Sequence, residues 1–280
     1  MSGSSLRRWA ADAAGAVGRH YSYPGQRAFS VAARVVRRFP PPEEVTYRDA
    51  DGYLRRADLR DHMESLAFVG RHRLPADVAG LLRPGDWAID VGANVGSVAG
   101  QLCKGVGPEG RVWAFEPIPR NVARLEAFRD ANRLTQLEVF DCALSATRGT
   151  AAIGLPAEGF SGHASFTASW IDKGRLDVRT ERLDDLTADL ADLDGTRPLR
   201  LVKLDVEGFE REVLAGAEAT IRRFRPSIYC EFNDIVLQDA GSSSAALLGT
   251  FAELGYRVAP AWRAKSARLA GRNLDLLMIP

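Results

Sequence analysis

Four carboxylates stand at or near the ends of apolar, β-rich runs in this chain: Asp90 in "AIDVG", Glu116 in "WAFEP", Asp205 in "LVKLDVEG" and Glu231 in "IYCEFN". An acid at the carboxyl end of a buried strand can hold a cation, accept a proton or grip a sugar hydroxyl, and open α/β sheets bind their ligands at that end. Around Asp90, the stretch "AIDVGANVGSVAG" from Ala88 to Gly100 reads as strand, glycine turn and helix. Gly92 lets the backbone turn tightly and approach a ligand, Gly96 allows close helix packing, and Asn94 is among the few non-glycine residues that accept positive φ. A structural turn with no ligand has the same appearance, so the neighbouring residues must decide what it holds.

Glu116 follows Gly92 by 24 positions, close to the spacing at which an acid takes the ribose hydroxyls of a nucleoside. Asp90 then separates the ligand classes. A carboxylate just before the first glycine repels a pyrophosphate but suits S-adenosylmethionine, which has no phosphate and carries an ammonium and a sulfonium. No GxxxxGK[ST] string follows Gly92, and no tyrosine has a lysine four positions on. A P-loop and a short-chain dehydrogenase are thereby set aside.

These residues need a sheet to hold them. After residue 80 short β-rich runs alternate with longer helical patterns, the sign of a parallel sheet wound with helices. The expected strands are Asp86–Val91, Arg111–Glu116, Leu137–Phe140, Leu199–Asp205, Pro226–Glu231, Tyr256–Ala259 and Asn273–Ile279. One helix is expected after Glu116, with Pro119 in its first turn and Val122, Leu125 and Phe128 on one face. Another is expected through "EREVLAGAEATIRRF". The interval from Ser145 to Pro198 breaks the alternation and reads as a β-hairpin insertion over one sheet edge, with Leu176, Val178 and Thr180 alternating as in a one-sided strand. The fold class is therefore α/β: seven strands, mostly parallel, helices on both faces, with an N-terminal helical arm and a β-hairpin insertion. Residues 1–80 form the arm and cap, and 81–280 the ligand-binding domain.

The 280 residues are 46% hydrophobic and 26% charged with a net charge of +1, a globular composition with no global attraction for nucleic acid or membrane. Cys103, Cys142 and Cys230 lie too far apart for a disulfide framework or a CxxC metal site. No apolar run reaches the roughly 18 residues a membrane span requires, and Asp12 interrupts the N-terminal Ala/Gly stretch. The expected location is the cytoplasm. Charge is uneven, however: residues 1–41 hold seven arginines against one acid, so this arm carries +6 and the remainder −5. It reads as two short amphipathic helices ended by Pro40, Pro41 and Pro42, able to pack on the main domain or to make peripheral contact with an anionic membrane.

The strings "DVGANVGSVAG", "WAFEPIPRNVARLEAF", "DCALS", "TERLDDL", "LVKLDVEGFEREVLAGA" and "PSIYCEFN" occur in the order found in FkbM-type methyltransferases, which the chain resembles over about residues 86–232. "KLDVEGFE" is the most specific of them. The resemblance implies S-adenosylmethionine dependence, a class I Rossmann-like fold, and methylation of hydroxyl groups such as those of polyketides and sugars. It assigns the methionine end of the cofactor to Asp90, Gly92, Ala93, Asn94 and Gly96, the ribose to Glu116 with Pro117 beside it, and the adenine edge to Asp141 and Cys142.

Other methyl acceptors leave marks that are missing here. There is no Asn/Asp-Pro-Pro-Tyr turn after the fourth strand, and none of the three cysteines follows proline, so an oxygen acceptor fits best. Asp205 and Glu231, at neighbouring strand ends, are the expected catalytic acids. Asp205 is either the proton acceptor or a structural acid on the cofactor side. With Asn233 the pair could bind Mg²⁺, which the sequence permits without requiring. Glu207 and Glu210 are assigned to a helix start, where acids answer the helix dipole. His163, in the loop "SGHASF", is either a rival general base or an exposed loop histidine. The other three histidines receive no role. The expectation is an O-methyltransferase acting on a hydroxyl of a small molecule or glycan; the alternatives are a non-catalytic S-adenosylmethionine-binding protein and a membrane-associated glycolipid methyltransferase.

Overall fold

The computed structural model describes residues 44–68, 70–155, 164–166, 174–188 and 197–280. The basic arm and His163 lie outside them. The chain divides into two units, 1–73 with 158–162, and 74–157 with 163–280. In the first, β1 (Val45–Arg48) and β2 (Leu54–Ala57) form an antiparallel hairpin. Asp49 sets its turn, Oδ1 accepting from the amides of Asp51 and Tyr53 at 2.9 and 3.0 Å. Helix α1 (His62–Phe68) follows, its first free amides at Met63 and Glu64 taken by Asp61 Oδ1, as side-chain capping demands.

The second unit begins with the short helix α2 (Ala76–Ala79) and alternates thereafter: β3 (Trp87–Val91), α3 (Ser97–Val106), β4 (Arg111–Phe115), α4 (Pro119–Ala131) and β5 (Leu137–Phe140). Three small strands intervene, β6 (Ala143–Leu144), β7 (Gly149–Gly154) and β8 (Arg175–Glu181), and then the helix α5 (Leu183–Thr187). The alternation resumes with β9 (Leu199–Leu204), α6 (Glu210–Gly216), α7 (Glu218–Phe224), β10 (Ser227–Asn233), α8 (Asp234–Asp239), α9 (Ser244–Glu253), β11 (Arg257–Val258), α10 (Arg263–Ser266) and β12 (Asn273–Ile279).

The seven-stranded sheet has the order β11-β12-β10-β9-β3-β4-β5. Its strands pair in parallel except β12, which is antiparallel to both neighbours. All five residues of β3 are buried, as expected of a strand covered on both faces. Chain order reverses between β3 and β9, and such a switch point opens a crevice at the carboxyl ends of the strands. The α/β architecture is thus the expected one, and among the described residues no helix is long and apolar enough to cross a membrane.

Several local readings need correction. Strands β4 and β9 stop at Phe115 and Leu204, one residue short, so Glu116 and Asp205 stand just beyond the strand ends. Strand β10 runs on to Asn233 because β12 pairs with it, setting Glu231 opposite Asp275. The single helix expected through "EREVLAGAEATIRRF" is two, broken at Ala217 (φ −120°). At Gly216 a Cβ would lie 1.9 Å from the Ser145 carbonyl oxygen, so the helix passes against that backbone and turns. The hairpin expected in the insertion exists as β7 antiparallel to β8, but β6 joins β8 in parallel to make a separate three-stranded sheet.

Candidate active site

At the switch point the glycine turn is pinned from two sides. The amides of Gly92 and Ala93 both donate to Phe115 O at 3.0 Å, and Asp205 N donates to Val91 O at 3.3 Å. Gly92 has φ +75°, and a Cβ there would stand 2.0 Å from the backbone oxygen of Asp205. Both conformation and space therefore require glycine. Asn94 takes φ 50°, as its type allows. A Cβ on Gly96 would meet Leu125 Cδ1 at 2.4 Å, which is the close helix packing expected of that position.

Glu116, buried at the end of β4, closes the turn. Its Oε2 accepts from Asn94 N at 2.8 Å, and its Oε1 from Ile118 N at 3.0 Å and Asn121 Nδ2 at 3.2 Å. A carboxylate has about four acceptor positions, and donors among the described residues fill three of them. Burial pushes its carboxyl above the ordinary range, against the pull of those donors. Pro117 is half-buried beside it, Asp141 is exposed after β5, and Cys142 is buried with its thiol pushed up by burial to about 11. Asp90 is fully buried in β3. An acid at the glycine turn, a second acid with an acceptor position open among the described residues and a backbone cradle that excludes Cβ atoms fit S-adenosylmethionine.

Lys203 was not singled out from the sequence, yet it joins the site together. The side chain, 5% exposed, reaches Gly92 O at 2.7 Å, Val91 O and Asp90 Oδ1 at 3.3 Å, and Asp205 Oδ2 at 3.4 Å. Burial alone would lower its pKa, but the carboxylates of Asp205 and Asp90 outweigh that and hold it above the usual lysine value. The available signal was the second cation of "LRLVKL": Arg200 is half-buried near the strand's start, whereas Lys203 stands in its fully buried run.

Beyond Lys203 the structure gathers acids. Asp205, Glu207 and Glu231 place carboxylate oxygens within 4.8 Å of one another. Sequence reasoning brought Asp205 and Glu231 together correctly but put Glu207 in a helix start. Instead Glu207 sits in a turn with φ 49°, which carries its side chain into the group. Glu207 Oε2 and Glu231 Oε2 are buried with no hydrogen-bond partner among the described residues, while Glu231 Oε1 accepts from Asn273 Nδ2 at 2.7 Å. Both carboxyls are pushed well above the ordinary range by burial first and by the charge of Asp205 next. Asp275, across the strand pair, is raised to about 6 by burial and by Asp205.

Glu210 is the first residue of α6 but not a surface acid answering a dipole. It is 1% exposed, accepts from Gly208 N at 3.2 Å and Val206 N at 3.4 Å, and is raised to about 7 by burial. Asn233, expected beside a metal, caps α8 through Val236 N instead. The cation in contact with Asp205 among the described residues is Lys203. The turn 206–209 is also gripped by the insertion: Ser165 Oγ donates to Glu207 O at 2.7 Å, and the Phe166 and Phe209 rings lie 4.4 Å apart.

A seven-stranded sheet of this order, with a glycine turn and two strand-end acids at its switch point, defines a class I methyltransferase. Residues 90–258 match the family model described as the methyltransferase FkbM domain, and the chain belongs to that family. Over 183 residues it is 27% identical to the 2-O-methyltransferase NoeI of Sinorhizobium fredii (strain NBRC 101917 / NGR234), covering 60% of this chain and 72% of the relative. Among solved structures, it is similar to methyltransferase FkbM from Methylobacillus flagellatus KT at 17% identity and TM-score 0.39, over 69% of this chain but only 47% of that one. It is similar also to Aeropyrum pernix fibrillarin in complex with S-adenosyl-L-methionine, at 13% identity and TM-score 0.41, over 85% and 94% of the two chains. At those TM-scores the structural likenesses carry no argument of their own.

Proposed function

We propose that this protein methylates a hydroxyl group of a small molecule or glycan, with Asp205 receiving the hydroxyl proton. The observation that carries this reading is the acid group at the crevice: Asp205, Glu207 and Glu231 face one another, and two of their oxygens are buried without donors among the described residues. Buried acceptors call for donors, and the hydroxyls of a polyol supply them. The same acids repel phosphate, sulfate or carboxylate on an acceptor, so the substrate class is neutral or cationic, a sugar or a polyketide hydroxyl. The 2-O-methyltransferase named among the relatives agrees with an oxygen acceptor.

S-adenosylmethionine, when bound, supplies a methyl group activated on a sulfonium. Asp90, Asn94 and Glu116 hold and orient it at the turn. Glu207 and Glu231 orient the acceptor, and Asp205 takes a proton that becomes strongly acidic only as the new bond forms, so a fixed acceptor of modest basicity suffices. His163 is the rival for this task.

The test is incubation of the purified protein with methyl-labelled S-adenosylmethionine and panels of neutral, amino-bearing and anionic glycans and polyketides, reading labelled ether product and S-adenosylhomocysteine. Labelled ether from neutral or amino-bearing acceptors supports the reading. Binding of S-adenosylhomocysteine without turnover on any panel would favour the non-catalytic alternative, and product from anionic acceptors would overturn the substrate class.

A further inference from the structure

We propose that Lys203 is a positioning residue that locks the acceptor-side acid Asp205 to the cofactor turn and supplies its counter-charge. This rests on the reading of Asp205 just given. Four acceptors converge on one ammonium that has three N–H groups: Gly92 O, Val91 O, Asp90 Oδ1 and Asp205 Oδ2, between 2.7 and 3.4 Å. One belongs to the glycine turn, two to the strand that enters it, and one to the proposed proton acceptor. The backbones are already in contact at this joint, since Asp205 N donates to Val91 O and the Asp205 carbonyl fills the space a Cβ on Gly92 would need. A lysine whose only task was to fill the sheet interior would not need to span both halves.

Charge gives the second line of argument. Asp205 is faced by Asp90 from β3, Glu207 and Glu210 from the turn and start of α6, Tyr229, Cys230 and Glu231 from β10, and Asp275 from β12. The cation in contact with it among the described residues is Lys203. Without that ammonium, Asp205 would stand among acids with no cation in contact.

The experiment is a carbon-13 NMR titration of protein labelled at the aspartate side-chain carboxyl, free and with S-adenosylhomocysteine, in wild type and Lys203→Met. The Asp205 signal is assigned by its loss in Asp205→Asn. Methionine keeps the stem and removes the charge. The Asp205 signal should titrate at least one pH unit higher in Lys203→Met, and the acidic limb of the pH–rate profile should move with it. S-adenosylhomocysteine affinity, read by calorimetry, should fall roughly tenfold or more as the turn carbonyls lose their donor. If Lys203→Met does not fold, Lys203→Met/Asp90→Asn removes the buried pair together and should show a displacement in the same direction, reduced by the loss of the Asp90 charge. An unmoved Asp205 signal in either folded variant overturns the proposal and leaves Lys203 a packing residue. Failure of the methylation reading shows elsewhere, as wild-type protein that binds S-adenosylhomocysteine but methylates no hydroxyl.

Discussion

The two ends of the crevice are built to opposite standards of completion. At the cofactor end, three of roughly four acceptor positions on Glu116 are filled by Asn94, Ile118 and Asn121, and the turn amides are bound to Phe115. At the proposed acceptor end, Glu207 and Glu231 each keep a buried oxygen without a donor among the described residues. The first region is organised before anything binds, while the second holds repulsion that a ligand's donors relieve. Folding free energy is spent at one end to make the other receptive.

Breaking the acceptor end at its centre should have the largest effect. Asp205→Asn is expected to lower turnover by about 10²–10⁴-fold and to cost more than His163→Ala, with S-adenosylhomocysteine affinity changed far less than rate. The reverse ranking, with a limb near neutral pH that vanishes in His163→Ala, would transfer the proton to the histidine.

Glu210→Gln sharpens the comparison through stability. Its carboxyl titrates near 4.5 when unfolded and at about 7 in the fold, so the native state binds the extra proton and stability falls as pH rises between those values. Above about pH 7 the ionised acid costs on the order of 3 kcal/mol. Glutamine keeps an acceptor for Gly208 and Val206 without the charge. The variant should unfold at higher denaturant than wild type at pH 8 and at the same denaturant near pH 4; equal midpoints at pH 8 would refute the assignment.

At the complete end, Glu116→Ala strands the amides of Asn94 and Ile118 as well as a ribose hydroxyl. Affinity for S-adenosylhomocysteine should weaken by roughly 1–3 kcal/mol, measured calorimetrically, with NAD failing to bind either protein. The smallest expected effect is that of rigorous chelation. With Lys203 supplying the positive charge at Asp205, EDTA should leave turnover unchanged, and a loss restored by added Mg²⁺ would show that the acids share an ion.

Much of this was legible in sequence because a parallel sheet writes its strands as apolar runs, and a strand-end acid announces itself by interrupting one. Asp90, Gly92, Glu116, Asp205 and Glu231 were found that way. The misses share a different cause. Lys203 takes its meaning from Val91, 112 positions away, which becomes its neighbour only because β9 lies beside β3. Glu207 was misplaced because helix-start acids are common, and nothing local reveals that this one takes positive φ. Glu210 looked exposed because burial of an acid at a helix start depends on what packs over it. The break at Ala217 depends on Ser145, an approach of two distant backbones that no periodicity records.

The hydrogen bond from Ser165 to the Glu207 carbonyl, with Phe166 against Phe209, has an evolutionary consequence. The Glu207 turn takes its support from the insertion, while the glycine turn takes its own from β4 and β9. Substitutions in the insertion can therefore re-aim the acids proposed to read the acceptor without disturbing the residues proposed to hold the methyl donor. Lineages can exchange one hydroxyl for another by editing a segment that carries none of the proposed cofactor contacts, and in a designed library the same segment is the place to vary.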